Sequence, residues 1–214
     1  MKIGIIGATG KSGSKIVTEA LNRGHQVTAL VRNKDKATKL FGGTVTIIAK
    51  DAFDITKQDL TNLDVVIDAF SVPLGKHLAY QHIDLAVHLV HLLRETETPR
   101  LVFILGAGSL QTDDGLLLDQ LKKIPDSQAW IDTPESQTHE LDFLRTVTNV
   151  NWVGVSPAAS FLDGPKTDYA LGKDHVLYDA NQKSEVSTGT MAVAILDELE
   201  NPSVHQARFT IRNK

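Results

Sequence analysis

The chain has 214 residues, of which 42% are apolar and 22% charged, and its net charge is -4. This length suits one well-buried domain, and the mildly acidic charge offers no basic patch for nucleic acid, so nucleic-acid binding is not expected. The absence of cysteine excludes disulfides, thiolate catalysis and cysteine-ligated zinc, so any redox chemistry must come from a bound cofactor. The first apolar run stops at Gly7, too early for a signal peptide or a membrane span, which predicts a cytoplasmic protein without a membrane partner.

Apolar, β-branched runs alternate along the chain with segments of helical periodicity. Because these runs are apolar on both faces, they are typical of strands in a parallel sheet that helices cover on each side. The pattern predicts a single doubly wound, Rossmann-like α/β domain over residues 1–214, with 158–185 as a small irregular or hairpin insertion above the carboxyl edge of the sheet. The predicted strands are 2–7, 26–31, 45–49, 65–69, 101–105 and 152–155.

Helical periodicity is clearest at 12–23, about 77–94, 134–147 and 191–200. Gly24 is predicted to end the first of these helices. Thr133 and Pro134 predict the start of the third, as its N-cap and its first helical residue. The second helix has an apolar face that is predicted to lie on the sheet, made of Ala79, Ile83, Ala86, Val87, Val90 and Leu93.

A polar stripe lies opposite that apolar face, made of Asp84, His88, His91 and Glu95. Side chains of these types can bind a metal ion when they converge. Because the stripe points away from the core, it is predicted to be a solvated face or a subunit contact, and no metal site is predicted.

The sequence GATGKSG, residues 7–13, follows the first predicted strand and opens the first helix. Its glycines serve a tight turn, a close approach of the backbone to pyrophosphate and close packing of helix on strand. A P-loop is excluded because only two residues separate Gly7 from Gly10-Lys11-Ser12, whereas G-x-x-x-x-G-K-[ST] requires four. The loop is predicted to bind a dinucleotide through Gly7, Thr9, Gly10, Lys11, Ser12 and Gly13.

Arg32 ends the second predicted strand, where an NAD-selective site carries Asp or Glu. An arginine cannot accept hydrogen bonds from the ribose hydroxyls, but it can pair with a 2′-phosphate. The residue therefore favours NADP, with NAD possible as the cofactor, and Asn33 is predicted to share the site. The alternative is that Arg32 is a solvated surface residue.

With GATGKSG, ALVRN, KDAFD and GVSPAASF in register with the strands, the chain resembles the atypical short-chain dehydrogenases/reductases, in their NmrA-like and biliverdin reductase B/flavin reductase-like branch. LGAGSL and the tail DYALGKDHVLYDANQKSEVS…MAVAILDELEN are similar to bacterial proteins provisionally named NADH-flavin reductases, and the resemblance covers essentially the whole chain. It implies that segments 106–109 and 156–158 lie near the nicotinamide. It further implies an adenine site at Asp51 and Phe53, a ribose contact at Ala69 and Phe70 on the adenosine or nicotinamide side, and nicotinamide neighbours that include Gly106 and Pro157.

Short-chain dehydrogenases that use a tyrosine acid carry Y-x-x-x-K on the helix predicted here at 134–147. No tyrosine of this chain lies on that helix, since the three are Tyr80, Tyr169 and Tyr178. If Glu140 takes the acidic position that often follows the motif, the tyrosine and lysine positions fall on Asp132 and Ser136. The string Tyr169-Ala-Leu-Gly-Lys173 matches the motif, but it is not predicted to be helical and so would not place both side chains on one face.

Ser109 lies just past the fifth predicted strand, at the edge where ligands bind in open α/β folds. It is the candidate catalytic residue, because its hydroxyl would reach a substrate or the carboxamide of the cofactor. Equally, it would cap the following turn.

Three functions fit these residues. The first is an NAD(P)H-dependent oxidoreductase that reduces a flavin, a quinone or a similar planar conjugated acceptor by direct hydride transfer, without a Tyr/Lys acid pair. The second is a non-catalytic dinucleotide-binding redox sensor, for which the missing tyrosine is natural. The third, an epimerase-like enzyme acting on sugar nucleotides, needs that tyrosine and a larger C-terminal lobe. The sequence leaves the acceptor and the oligomeric state open.

Overall fold

The computed structural model describes all 214 residues. The twelve strands are β1 (Lys2–Ile6), β2 (Gln26–Val31), β3 (Thr46–Ala49), β4 (Val65–Asp68), β5 (Thr96–Ile104), β6 (Gln111–Thr112), β7 (Gly115–Leu116), β8 (Val150–Ser156), β9 (Ser160–Leu162), β10 (Tyr169–Gly172), β11 (Glu185–Ser187) and β12 (Ala207–Asn213). The seven helices are α1 (Lys11–Asn22), α2 (Lys34–Phe41), α3 (Lys57–Leu60), α4 (Gln81–Leu93), α5 (Leu117–Leu121), α6 (Asp132–Arg145) and α7 (Thr188–Glu200). None of the helices is long and apolar enough to cross a membrane.

Eight strands form one sheet in the order β10-β12-β8-β5-β4-β1-β2-β3. Every neighbouring pair is parallel except the edge pair of β10 and β12, which is antiparallel. From β1 the chain runs outward through β2 and β3 on one side, and it then crosses to β4 on the other side of β1. The strand order therefore reverses between β1 and β4. In open α/β sheets, ligands bind at the carboxyl ends of the strands beside such a reversal.

Helices cover both faces of the sheet, as the apolar strands predicted. One core cluster joins α1, α2 and α7 to residues such as Ile3, Ile5 and Val65. The other joins α4 and α6 to Ile6 and Val66, whose side chains point the opposite way. The prediction of a doubly wound, mostly parallel α/β domain is therefore confirmed.

The predicted starts of α6 and α7 need correction. α6 begins at Asp132, after a 3-10 turn, and Ile131 precedes it without a side-chain cap, so Thr133 is not the N-cap. Pro134 is tolerated inside the first turn because the first N–H groups of a helix have no partner within it. α7 begins at Thr188, three residues before the prediction, where Ser187 accepts a hydrogen bond from the Thr190 N–H. Gly24 follows α1 with a φ of 78°, as predicted.

The buried face of α4 is turned relative to the prediction. Val87 is 43% exposed, whereas His82, Leu85 and Leu89 are buried. The polar stripe is not uniformly solvated either, because His88 Nε2 lies 2.7 Å from the Ile55 carbonyl oxygen. No three metal-ligating side chains converge.

The segment 158–185 was predicted to be irregular or a hairpin, and it is not a hairpin. β9 pairs in parallel with β11, and β10 extends the main sheet as its antiparallel edge strand. In that sheet β10 pairs with β12, a strand that was not predicted and that lies between β10 and β8. Segment 175–178 contributes one isolated bridge, from His175 to Gln111.

Candidate functional site

A groove of about 280 Å³ opens at the carboxyl edge, where the sheet order reverses. Eight residues predicted to bind the cofactor line it: Gly7, Thr9, Gly10, Arg32, Asn33, Asp51, Ala69 and Phe70. Seven further lining residues were not predicted, namely Ile6, Leu30, Val31, Lys36, Lys50, Ala52 and Ser71. The groove therefore lies at the carboxyl ends of β1, β2, β3 and β4, and its lining residues come from segments that are far apart in the sequence.

The glycine loop runs along the floor of the groove. Gly7 has a φ of +71°, and a Cβ there would lie 2.6 Å from the Ala69 carbonyl oxygen. A Cβ on Gly13 would lie 2.3 Å from the Gly7 carbonyl oxygen, whereas one on Gly10 would lie 3.1 Å from that atom. Gly7 and Gly13 thus allow backbone segments to pack closely, and Gly10 leaves an exposed, open surface beside the groove.

The N-terminus of α1 has no side-chain cap. Its first intrahelical hydrogen bond runs from the Ser14 N–H to the Gly10 carbonyl at 3.0 Å. The N–H groups of Lys11, Ser12 and Gly13 precede that bond and, as at any helix start, have no partner within the helix. Uncapped N–H groups and the positive end of the helix dipole favour a phosphate there, so these residues fit the pyrophosphate of a dinucleotide.

Cationic side chains surround the opposite end of the groove. Arg32 is exposed and makes no hydrogen bond or ion pair, and Lys36 lines the same wall from the first turn of α2. Asn33 caps α2, since its Oδ1 accepts from the Lys36 N–H at 2.8 Å. Lys50 donates to both Asp59 oxygens at 2.8 and 2.7 Å, so its charge is already paired. Arg32 and Lys36 are the cations free to meet an anion.

Asp51 and Phe53 take different places. Asp51 lines the groove and caps a 3-10 turn, since its Oδ1 accepts from the Phe53 N–H at 3.1 Å. The Phe53 ring lies behind the wall, edge-on to Phe70 with 5.9 Å between ring centroids. Phe53 thus supports Phe70, which does line the groove. Its predicted contact with adenine requires the adenine to reach past this wall.

Three titratable side chains are buried where β4 meets α4 and α6. Burial raises the pKa of Asp68 to about 7, although its Oδ1 accepts from the Phe70 N–H at 2.9 Å. Burial also lowers the pKa of His82 to about 4, and the His82 ring packs edge-on against Phe70. Burial, and then the charge of Asp68, raise the pKa of Glu140 well above its ordinary value. His82 Nε2 and Glu140 Oε2 have no hydrogen-bond partner.

The two segments assigned to the nicotinamide end lie side by side. The Leu105 N–H donates to the Val155 carbonyl at 2.9 Å, and Ser156 Oγ donates to the Gly106 carbonyl at 2.9 Å. A Cβ on Gly106 would lie 2.5 Å from Gln137 Oε1, so the absence of a side chain lets α6 pack closely. Gly106 and Pro157 are both buried. Neither residue lines the 280 Å³ groove, and their contact with the nicotinamide stays a prediction.

Ser109 has a hydrogen-bond partner that the sequence did not indicate. It is 6% exposed, and its Oγ accepts from Arg208 Nη1 at 3.1 Å. The hydroxyl makes no capping hydrogen bond to the turn that follows, which corrects that alternative. The structure also places Ser109 outside the groove. Its contact with a substrate or with the carboxamide stays a prediction.

In the register that puts Glu140 at the acidic position, the tyrosine and lysine positions of α6 fall on Asp132 and Ser136. Ser136 is buried, and its Oγ donates to the Ala79 carbonyl at 2.6 Å, so it fixes the start of α4 against α6. The Y-x-x-x-K string lies elsewhere. Tyr169 is in β10, its hydroxyl donates to Asp197 at 2.5 Å, and it lines a second cavity of about 880 Å³ together with Lys173.

Comparison with known proteins agrees with this geometry. Residues 7–202 match the family described as NAD(P)H-binding. A protein of Lactobacillus casei is 43% identical, with a TM-score of 0.92, and the match covers 100% of this chain and 99% of that one. A Streptococcus pneumoniae TIGR4 protein, provisionally named an NADH-flavin reductase, is 36% identical over 100% of both chains, with a TM-score of 0.90.

A third solved structure carries another name. A Bacteroides thetaiotaomicron protein, provisionally named an epimerase, is 33% identical with a TM-score of 0.84, and the match covers 99% of this chain and 96% of that one. The fold, the glycine loop and the family match converge, and this chain belongs to the NAD(P)H-binding family.

Proposed function

We propose that this protein is an NADPH-dependent reductase of a planar conjugated acceptor, such as a flavin or a quinone. The observation that carries the proposal is the groove itself, with an uncapped helix N-terminus at one end and the free cations Arg32 and Lys36 at the other. A bound NADPH would supply a hydride, and the protein would supply orientation and electrostatics.

The residues of the chain divide the binding work by position. The N–H groups at the start of α1 bind the pyrophosphate. Arg32 and Lys36 bind the 2′-phosphate, because a guanidinium and an ammonium both pair with phosphate oxygens. Asp51 accepts a hydrogen bond from the adenine end of the ligand, and Ala69 and Phe70 line the groove beside Gly7.

The missing tyrosine acid narrows the class of acceptor. The sequence of α6 contains neither tyrosine nor lysine, so no proton relay of the usual kind is present on this helix. A reduced flavin or hydroquinone tolerates anionic charge by delocalising it, and solvent can supply the proton. A simple ketone or a sugar nucleotide gains more from a positioned acid, which contributes about 10²–10⁴-fold.

The same observation favours a second candidate, a dinucleotide sensor that binds the cofactor without turnover. Ser136 is committed to the Ala79 carbonyl, and a helix contact of this kind serves structure as well in a sensor as in an enzyme. The two candidates share the groove and differ in whether an acceptor binds beside it.

Anaerobic incubation with NADPH and a panel of flavins and quinones tests the proposal, with the loss of reduced-nicotinamide absorbance as the readout. A folded Gly10→Val variant, predicted not to bind the dinucleotide, is the matched control. The proposal predicts turnover of at least one flavin or quinone by the wild type and none by the control. NADPH binding without turnover of any acceptor would reject the reductase in favour of the sensor.

A further inference from the structure

One arginine is buried beneath the nicotinamide end without a role in the proposed function so far. Arg208 lies on β12, and its side chain is 0% exposed. Burying a guanidinium is costly unless its donors are paired. The partners that offset this cost therefore indicate what the residue organises.

The Arg208 guanidinium contacts both segments that the family resemblance assigns to the nicotinamide. Its Nη1 donates to Ser109 Oγ at 3.1 Å and to Ser156 Oγ at 2.9 Å. Ser156 in turn donates to the Gly106 carbonyl at 2.9 Å. One planar cation thus fixes the two loops that follow β5 and β8 relative to each other.

The charge of Arg208 is balanced from the insertion that follows β8. Its Nη2 and Nε donate to Asp174 Oδ1 at 2.6 and 3.2 Å. Arg145, at the end of α6, also donates to this oxygen, at 3.0 Å. Asp174 therefore keeps a cationic partner when either arginine is removed, which makes the two arginines a matched pair for mutation.

The hydrogen bonds leave one donor uncommitted. Ser156 accepts from Arg208 and donates to Gly106, so both functions of its hydroxyl are used. Ser109 Oγ accepts from Arg208, but its own hydrogen meets no acceptor in the protein. A serine with one accepted hydrogen bond and a free hydrogen is prepared to donate to a ligand.

We propose that Arg208 is a positioning residue for the nicotinamide half of the dinucleotide site, which fixes the loops after β5 and β8 and directs the Ser109 hydroxyl hydrogen toward the carboxamide end of the ligand. The inference rests on the proposed dinucleotide site and adds a residue that lies outside the groove. It predicts that the nicotinamide half and the adenosine half respond differently to changes at position 208.

Two ligands separate the halves of the site. Adenosine 2′,5′-bisphosphate carries the adenosine and its phosphates but no nicotinamide, whereas NADPH carries both. Calorimetric titration of each ligand into wild type, Arg208→Met, Arg208→Lys and the control Arg145→Met gives the ratio of the two affinities. Circular dichroism and thermal unfolding verify that each variant is folded.

Arg208→Met is expected to weaken NADPH by about three- to tenfold, the loss of one neutral hydrogen bond from the Ser109 hydroxyl, and to leave the bisphosphate within about twofold. Arg208→Lys restores part of the NADPH affinity, because an ammonium keeps the charge but not the planar fork. Arg145→Met changes neither affinity. If Arg208→Met does not fold, Ser109→Ala is expected to shift the ratio in the same direction.

An equal loss for both ligands, or no loss for either, would overturn the inference. In that case wild-type binding of both ligands would still support the dinucleotide site, so the two claims fail separately. A wild type that binds neither ligand would reject the dinucleotide site and the role of Arg208 together.

Discussion

A Cβ on Gly13 would lie 2.3 Å from the carbonyl oxygen of Gly7, so α1 and the end of β1 approach each other more closely than any side chain permits. Gly10, three residues earlier in the same loop, has more space, with a Cβ position 3.1 Å from that oxygen. Its φ of -79° and ψ of 176° are also ordinary for residues other than glycine. The two glycines therefore separate the requirements of the fold from those of the ligand.

Gly10→Val is expected to abolish NADPH binding in a folded protein, because its branched side chain would cover the N–H groups at the start of α1. Gly13→Ala is expected to lower the free energy of unfolding by roughly 1–3 kcal/mol, since the backbone must move to admit the methyl group. Chemical denaturation and NADPH titration on both variants check this pair. Near-normal NADPH affinity in folded Gly10→Val would show that the loop is only a turn.

Tyr169→Phe and Lys173→Ala are expected to leave most turnover intact. Both residues line the 880 Å³ cavity rather than the groove, and Tyr169 is bonded to Asp197. The tyrosine change should cost about 0.5–1.5 kcal/mol of stability through the lost hydrogen bond. The measurement is kcat with the best acceptor, after folding has been verified. A loss of about a thousandfold or more from Tyr169→Phe would identify it as the acid.

Asp68 and His82 are expected to give the stability opposite dependences on pH. The pKa of Asp68 is about 7 in the fold against an ordinary 3.8, so between these values the folded state holds the extra proton. The free energy of unfolding therefore falls as pH rises through that window. The pKa of His82 is about 4 against an ordinary 6.5, so the unfolded state holds the extra proton and stability rises with pH.

Single variants separate these two contributions. Asp68→Asn keeps an acceptor for the Phe70 N–H and removes the falling contribution. It should make the slope of stability between about pH 4 and 6.5 more positive than in wild type, by up to about 1.4 kcal/mol per pH unit. His82→Asn should move the slope the other way. Urea denaturation across this range measures both, and an unchanged slope in Asp68→Asn would contradict the burial of an uncharged carboxyl there.

The central strands of the sheet were predictable from the sequence, because β1, β2, β4 and β8 are apolar on both faces. Such a pattern is a strong signal for a covered parallel strand. β12 was missed because its sequence, ARFTIRN, alternates polar with apolar residues and so lacks the continuous apolar run of a strand that is covered on both faces. Arg208 within it is buried only because Ser109, Ser156 and Asp174 converge on it from distant segments.

The candidate site likewise contains residues that could be predicted from the sequence and residues that could not. The glycine loop and Arg32 were recognisable because their spacing from a strand end has a local meaning. Lys36 lines the groove because Asn33 caps α2 and orients the first turn of that helix. The apolar periodicity of the sequence did not reveal α2. Asp68, His82 and Glu140 come from three elements, and their burial depends on the packing of α4 against α6, which no local pattern encodes.

Arg32→Asp is expected to reverse the choice of cofactor. A guanidinium–phosphate hydrogen bond contributes roughly 1.5–3 kcal/mol, or about ten- to a hundredfold in affinity, and a carboxylate would instead repel the 2′-phosphate and accept from the ribose hydroxyls. Because Lys36 lines the same wall, the reversal should be complete only in Arg32→Asp combined with Lys36→Ala. Competition titrations of NADPH and NADH into these variants give the order. If the wild-type preference persists in both variants, Arg32 is a surface residue without a role in the choice of cofactor.

Calorimetric titration of NADPH and of NADH into the wild-type protein, at low and at high salt, measures dinucleotide binding and the preference for the 2′-phosphate together. We expect one dinucleotide per chain and tighter binding of NADPH by about ten- to a hundredfold. The margin should shrink as salt rises, since an exposed ion pair is screened over about 10 Å at 0.1 M. Equal affinities would remove the role of Arg32 and Lys36. The absence of binding by either dinucleotide would contradict the assignment of the groove.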